Sequence, residues 1–206
     1  MHAPDNPIRW FAASSNGGKL REYRDLAAGT PIEVALIPNF SSLPAFEETA
    51  PTFGENAAGK ALHYSRLFPE TVIADDSGLV VPALGGRPGV HSARYAGTGA
   101  SDRDRIEKLL GELRGTRGAD RRARFVCVIG LARAGNMIGL FSASCEGEIL
   151  DSPRGEHGFG YDPVFLLPEL GKSYAEISRE EKNRFSHRGK AFQKAIELLK
   201  QESRIS

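Results

Sequence analysis

The residues best suited to chemistry are Asp75 and Asp76, in the stretch Ala74-Asp75-Asp76-Ser77-Gly78-Leu79. They close the apolar run Thr71-Val72-Ile73-Ala74, which reads as a short buried strand that Gly78 and the Gly85-Gly86 pair then interrupt. Two neighbouring carboxylates at a strand end are costly to desolvate unless positive charge sits on them. That charge can come from Arg, from Lys, or from a hard divalent cation such as Mg²⁺, which prefers carboxylate and water oxygens. Open α/β sheets tend to carry their chemistry at strand ends. An acidic turn or helix cap accounts for the same residues, so the rest of the chain must decide.

Three further polar clusters bear on the choice. Ser14-Ser15-Asn16-Gly17-Gly18-Lys19 lies between a strand and a helix, where small residues, a helix N-terminus and Lys19 suit a phosphate. It is not a Walker A loop, because the upstream Gly is missing and Leu20 follows the Lys. An ordinary N-cap with a solvated Lys19 fits as well. Glu47-Glu48 falls in a loop, while Glu55-Asn56 opens a helix, where a carboxylate is favourable without any function. The last cluster joins Gly158-Phe159-Gly160-Tyr161-Asp162 to Lys182, His187 and Arg188. There Phe159 offers a ring for a base to stack on, and the basic side chains offer donors to carbonyl or phosphate oxygens. For each of these residues taken singly, a helix cap or surface charge is the commoner explanation.

The elements that must position these groups alternate along the chain. Strands are expected over 8–13, 32–37 and 71–74, with helices over 19–28 and 56–68 between them. This βαβαβ order implies an α/β sheet. The stretch from Asp75 to Tyr95 is a long loop whose Val80, Val81, Leu84 and Val90 argue that it is packed. A helix is expected over 102–113, and the Gly- and Arg-rich 115–124 reads as a mobile loop. Apolar runs over 124–132 and 137–145, joined at Ala134-Gly135-Asn136, signal a hairpin, so part of the sheet is antiparallel. Another strand is expected over 161–167, and a last helix places Phe192, Ala195, Ile196 and Leu199 on one face.

Bulk properties remove several classes. The 206 residues carry a net charge of +1, 40% hydrophobic and 26% charged residues, the usage of an ordinary globular chain. That charge gives no global field for nucleic acid or anionic membrane, and Arg114, Arg117, Arg121, Arg122 and Arg124 read as a solvated loop. No apolar run approaches the ~20 residues of a membrane span, and no signal-peptide h-region is present. Cys127 and Cys145 lie in apolar runs with no metal-ligand spacing, consistent with reduced thiols and a cytoplasmic setting. The chain is expected to form one domain over 1–206, with 1–7 a loose N-terminal tail.

Taken in order, SSNGGK, TFGENAAGKA, ADDSGLVVPALGGRPGVHSARYAG, GFGYDPVF and EEKNRFSHRGKA resemble the inosine/xanthine triphosphate pyrophosphatase family, also called Ham1-like proteins. The resemblance runs from Phe11 to about Ala191. It implies an elongated mixed β-sheet flanked by helices, two lobes with a central active-site cleft, and a homodimer. It also implies Mg²⁺-dependent hydrolysis of ITP, dITP and XTP to the monophosphate and pyrophosphate. Ser14, Ser15, Asn16, Gly17, Gly18 and Lys19 match the triphosphate loop, and Asp76 matches the general base and a metal ligand, with Ser77 touching substrate. Glu47 matches a second metal-associated acid, with Glu48 adjacent. Phe159, Gly160, Tyr161, Asp162, Lys182, His187 and Arg188 match nucleotide-binding positions. Ser14 stands where Thr is usual, and Pro82 where an acid is common.

This resemblance agrees with the charge inventory: Lys19, the loop and Mg²⁺ would neutralise a triphosphate, and Asp76 would hold the metal or take the proton of water. Arg188, with His187, would reject adenine by facing its amine with donors. On that expectation Arg188→Ala loses preference for ITP over ATP. A Maf-like pyrophosphatase is disfavoured by the SHR and GFGYD segments, and a Nudix hydrolase by the missing Glu-rich helix. The competing class is a catalytically silent nucleotide-binding module, which simple turnover separates from an enzyme.

Overall fold

The computed structural model describes residues 7–205, so the expected tail lies outside the described residues apart from Pro7. Strand β1 (Ile8–Ala12) leads into α1 (Gly17–Ala27), then β2 (Ile32–Leu36), α2 (Phe53–Leu67) and β3 (Val72–Val80). Helix α3 (Asp102–Glu112) precedes the long strands β4 (Arg122–Arg133) and β5 (Asn136–Ile149). Short strands β6 (Phe165–Leu167) and β7 (Lys172–Ser173) follow, then α4 (Arg179–Phe185) and α5 (His187–Ile205). The seven strands form one open mixed sheet in the order β2-β1-β3-β4-β5-β6-β7. Strand β1 pairs in parallel with β2 and β3, while β6 is antiparallel to both β5 and β7. The β4–β5 connection is the expected hairpin, turned by Ala134 and Gly135 at φ 48° and 78°, the left-handed pair that a two-residue turn requires.

Local chemistry explains the helix starts. Asn16 caps α1 through its side-chain oxygen, and Thr52 caps α2 by accepting from the Glu55 amide, so Glu55 serves the cap. Ser101 and Ser178 open α3 and α4 with reciprocal capping boxes to Asp104 and Glu181.

The chain divides into two compact units, one from residues 1–76, 127–143 and 188–206, the other from 77–126 and 144–187. In the first unit, Leu20, Tyr23 and Ala27 of α1 pack with Ala191, Phe192, Ala195 and Ile196 of α5, against Trp10, Ala12, Ile73 and Cys127. A separate core sets Ala61 and Tyr64 of α2 against Ala13, Val72, Ala74 and Ala132. Ile73 thus faces α1 and α5, while Val72 and Ala74 face α2, as the two-residue period of a strand demands. The second unit centres on Leu79, Leu109, Leu113, Phe125, Phe165 and Tyr174.

Three expectations change. The strand expected to end at Ala74 continues through Asp75-Asp76-Ser77-Gly78 to Val80. Gly78 does not break it, because a Cβ there would lie 2.4 Å from the Gly89 carbonyl oxygen and 2.4 Å from Ser92 Oγ. Missing that atom, the strand accepts the loop at close range, and Ser92 Oγ accepts the Leu79 amide hydrogen at 2.9 Å. The loop expected at 115–124 is short: a 3₁₀ turn at Gly118–Arg121 passes straight into β4. Arg121 is buried there and donates to the carbonyls of Leu113, Thr116, Ile149 and Leu150. The strand expected over 161–167 is preceded by a 3₁₀ turn at Asp162–Val164, leaving only Phe165–Leu167 extended.

Candidate active site

Successive residues of β3 point to opposite faces, so the acid pair is divided between two environments. Asp75 shares the face of Ile73 and meets α1 and α5. Its Oδ2 accepts from Lys19 Nζ at 2.9 Å and from Arg188 Nη2 at 3.2 Å, and Arg188 Nη1 pairs with Glu22. Glu22, Asp75 and Arg188 are all buried. Burial alone would raise the Asp75 carboxyl, but the Lys19, Arg188 and Lys60 cations outweigh it and hold the group below the usual carboxylate range. Burial, then the Asp75 charge, pushes the thiol of Cys127, 3.9 Å from Asp75 Oδ2, far up.

Asp76 shares the other face, against α2. Asn56 Nδ2 donates to its Oδ2 at 2.9 Å. Burial raises its pKa from 3.8 to about 6, the nearby Glu48 charge adds to this, and Asn56, Lys19 and Lys60 oppose it. Lys60 pairs with Glu48. Burial works against the Lys60 ammonium, yet Asp75 and Glu48 more than compensate and keep its pKa above the ordinary value. Glu47 is exposed, so the acid that this fold brings beside Asp76 is Glu48. Ser77 follows on β3, half-buried.

The loop before α1 is organised from within. Asn16 Oδ1 accepts from Gly18 N at 2.8 Å and Lys19 N at 3.1 Å, and Ser14 Oγ accepts from Asn16 N at 3.2 Å. Those amides cap the helix instead of standing ready for an anion. Ser15, Asn16 and Gly17 are exposed. Lys19 is far from solvated: it is the cation on Asp75.

The second unit carries a separate constellation. Lys182 Nζ lies 2.5 Å from Asp162 Oδ2, 4.9 Å from the centre of the Phe159 ring and 5.4 Å from that of Tyr174. Asp162 Oδ2 also accepts the Phe159 amide hydrogen at 2.9 Å. Gly158, at φ +81°, permits this turn, since a Cβ would strike the Asp162 carboxylate. Gly160 N donates to Asp102 Oδ2 at 2.7 Å, and Tyr161 is buried with its hydroxyl donating to Ser92 O at 2.9 Å. His187 is buried and stacks on Phe125 at 4.7 Å.

Arg188 therefore differs from its sequence reading. Only 2% exposed, it spends both terminal nitrogens on Glu22 and Asp75 and supplies positive charge to those two buried acids. Sequence reasoning passed over Asn56, Lys60 and Glu22 as site residues. Their signal was positional: Asn56 and Lys60 are four apart on the face of α2 that also buries Ala57 and Ala61, and Glu22 is one turn from Lys19 on α1.

An open mixed α/β sheet carries this site, with a lysine from a strand-to-helix loop set on one member of a carboxylate pair split between two faces. The sequence profile of the Ham1 family matches residues 10–198, and the chain belongs to that family. It is 52% identical over 185 residues to a dITP/XTP pyrophosphatase of Geobacillus kaustophilus, covering 90% of this chain and 91% of that protein. Among solved structures, the Staphylococcus aureus Ham1 protein is 42% identical with a TM-score of 0.83, covering 94% of this chain and 99% of its own. A Ham1 protein from Coxiella burnetii, 41% identical, aligns at 0.84 with the same coverage. No described helix is long and apolar enough to cross a membrane.

Proposed function

We infer that the protein is a nucleoside triphosphate pyrophosphatase acting on non-canonical purine nucleotides such as dITP, XTP and ITP, releasing the monophosphate and pyrophosphate. The observation that carries this reading is the division of the acid pair. Asp75 is a fixed anion locked to Lys19 and Arg188. Asp76, raised to about 6, stands near the protonation midpoint that a general base or exchangeable ligand needs. Membership of a family whose relatives bear that activity in their names supplies the substrate class.

The donor set fits a divalent cation of the Mg²⁺ type. Among the described residues no three acidic, His or Cys side chains gather into a ready cage. Mg²⁺ is commonly held by one or two carboxylates, with water and substrate phosphates completing the shell. Asp76 and Glu48 would hold it, and the exposed Glu47 yields to Glu48 in this assignment. When bound, the cation screens phosphate charge and acidifies a coordinated water. Lys19 would bring its ammonium to the phosphates, with the exposed Ser15 and the half-buried Ser14 preceding it on the same strand-to-helix loop. The Asp76 carboxylate takes a proton from the attacking water as its oxygen bonds to phosphorus; the anhydride bond breaks and pyrophosphate leaves with the electron pair.

The purine falls to Phe159 for stacking and to Lys182 for recognition, with Gly160, Tyr161, Asp162 and His187 shaping that turn. Lys182 offers donors only, so it suits the C6 oxygen of hypoxanthine or xanthine and opposes the adenine amine. We further expect a cytoplasmic homodimer, which light scattering of the purified protein tests.

The deciding assay is pyrophosphate release from dITP, XTP, ITP, dGTP and dATP, with Mg²⁺ or with EDTA. Mg²⁺-dependent release from the first three establishes the activity. Equal turnover of all five removes the role given to Lys182, and binding without turnover favours a nucleotide sensor.

A further inference from the structure

We propose that Asn56 is a positioning residue that holds Asp76 and the Glu48 loop in their working arrangement. The proposal rests on the functional reading of Asp76 above. Asn56 is 1% exposed and makes hydrogen bonds at both ends of its amide. Its Oδ1 accepts the Ala50 amide hydrogen at 3.0 Å, and its Nδ2 donates to the Ala50 carbonyl at 3.2 Å. This two-point clamp fixes which way the amide faces, because a flipped Asn56 would set donor against donor and acceptor against acceptor. The remaining Nδ2 hydrogen then falls on Asp76 Oδ2 at 2.9 Å. Ala50 lies two residues beyond Glu48, so one side chain joins the segment bearing Glu48, the first turns of α2 and the strand bearing Asp76. Asn56 need not touch substrate to do this. Misplacing a catalytic carboxylate by about 1 Å can cost about 10²-fold in rate.

The test compares Asn56→Ala and Asn56→Asp with the unaltered protein and with Asp76→Asn. Asn56→Asp keeps an acceptor for the Ala50 amide and loses both donations. For each variant, kcat and KM on dITP are measured under saturating Mg²⁺, at a temperature where circular dichroism shows the protein folded. Urea midpoints in EDTA are measured for Asn56→Ala, Asp76→Ala and their combination. We expect kcat to fall about 10²-fold in both Asn56 variants with KM within about threefold, since the Ser14–Lys19 loop is untouched. The midpoint shift caused by Asn56→Ala should shrink in the Asp76→Ala background, as it must if the two side chains are coupled. Folded Asn56 variants with unaltered kcat, or additive midpoint shifts, overturn the proposal while leaving the activity intact. An Asp76→Asn enzyme that still turns over dITP removes the reading of Asp76 and the proposal with it.

Discussion

Asp76→Asn should abolish activity and, in the metal-free protein, increase stability. Asp76 is 5% exposed, and its carboxyl titrates at about 6 instead of 3.8, first because it is buried and then because Glu48 faces it. Between those two values the folded protein binds a proton that the unfolded chain has released. Unfolding free energy therefore falls as pH rises through that window, and the deficit is complete above pH 7. A displacement from 3.8 to about 6 corresponds to about 3 kcal/mol. Asparagine has the same shape, carries no charge, and its side-chain oxygen still accepts from Asn56 Nδ2. At pH 8 in EDTA the variant should gain about 2–3 kcal/mol, and the gain should vanish near pH 4, where the native carboxyl is protonated. Trp10, the chain's single tryptophan, is buried beside Phe192 in the unit that contains Asp76, so its fluorescence in a urea titration reports the right transition. Saturating Mg²⁺ should reverse the order, since only the wild type retains the full ligand set. A variant no more stable than wild type at pH 8, or equally favoured at pH 4, would refute the account of Asp76 as a buried charge awaiting a cation.

The other outcomes follow from the same contacts. Arg188→Ala leaves Glu22 and Asp75 buried without their shared cation, so it should cost about 3–5 kcal/mol in urea unfolding and depress turnover of every substrate alike. A stable Arg188→Ala protein that alters only the dITP-to-dATP ratio would return base reading to Arg188. Lys182→Met removes the cation held by Asp162, Phe159 and Tyr174, and the kcat/KM ratio of dITP over dATP should drop by about 10–10²-fold; an unchanged ratio places recognition elsewhere. Gly78→Ala drives a methyl into the Gly89 carbonyl and Ser92, so about 1–3 kcal/mol of stability and most activity should be lost, and a silent substitution would contradict that close approach.

Much of this was legible in the sequence because local rules govern it. The strands at Ile8 and Ile32, the Ala134-Gly135 hairpin and the apolar face of the last helix needed only periodicity and turn chemistry. What escaped was tertiary. Gly78 reads as a breaker until Ser92 and Gly89 are known to fill its missing side chain. Arg121 reads as solvated within an arginine-rich run until four carbonyls converge on it. Asn56 and Lys60 look like ordinary polar residues of a helix, and nothing local reveals that their face is turned toward a carboxylate. Glu47 and Glu48 look alike in sequence, and only the fold sets Glu48 on Lys60. Arg188 reads as a base contact from its motif, whereas the fold encloses it between two acids.

The doubled acid in the sequence is best understood through strand parity. Were β3 to end at Ala74, both carboxylates would lie in a loop and compete for one cation as a like-charged pair. Because the strand runs on to Val80, neighbours are sent to opposite faces, and the two helical layers treat them differently. The α1–α5 face supplies Lys19 and Arg188, so Asp75 is fully compensated and serves as the anchor that keeps Lys19 at the start of α1. The α2 face supplies an uncharged donor from Asn56 and an additional acid, Glu48, whose own cation is Lys60. Asp76 is therefore left with less positive charge than its burial calls for, the deficit that a divalent cation held there would make good. Instability at Asp76 and rigidity at Asp75 arise from the same strand, one residue apart. A substitution that neutralises Asp75 should consequently destabilise the protein, while the same change at Asp76 stabilises it.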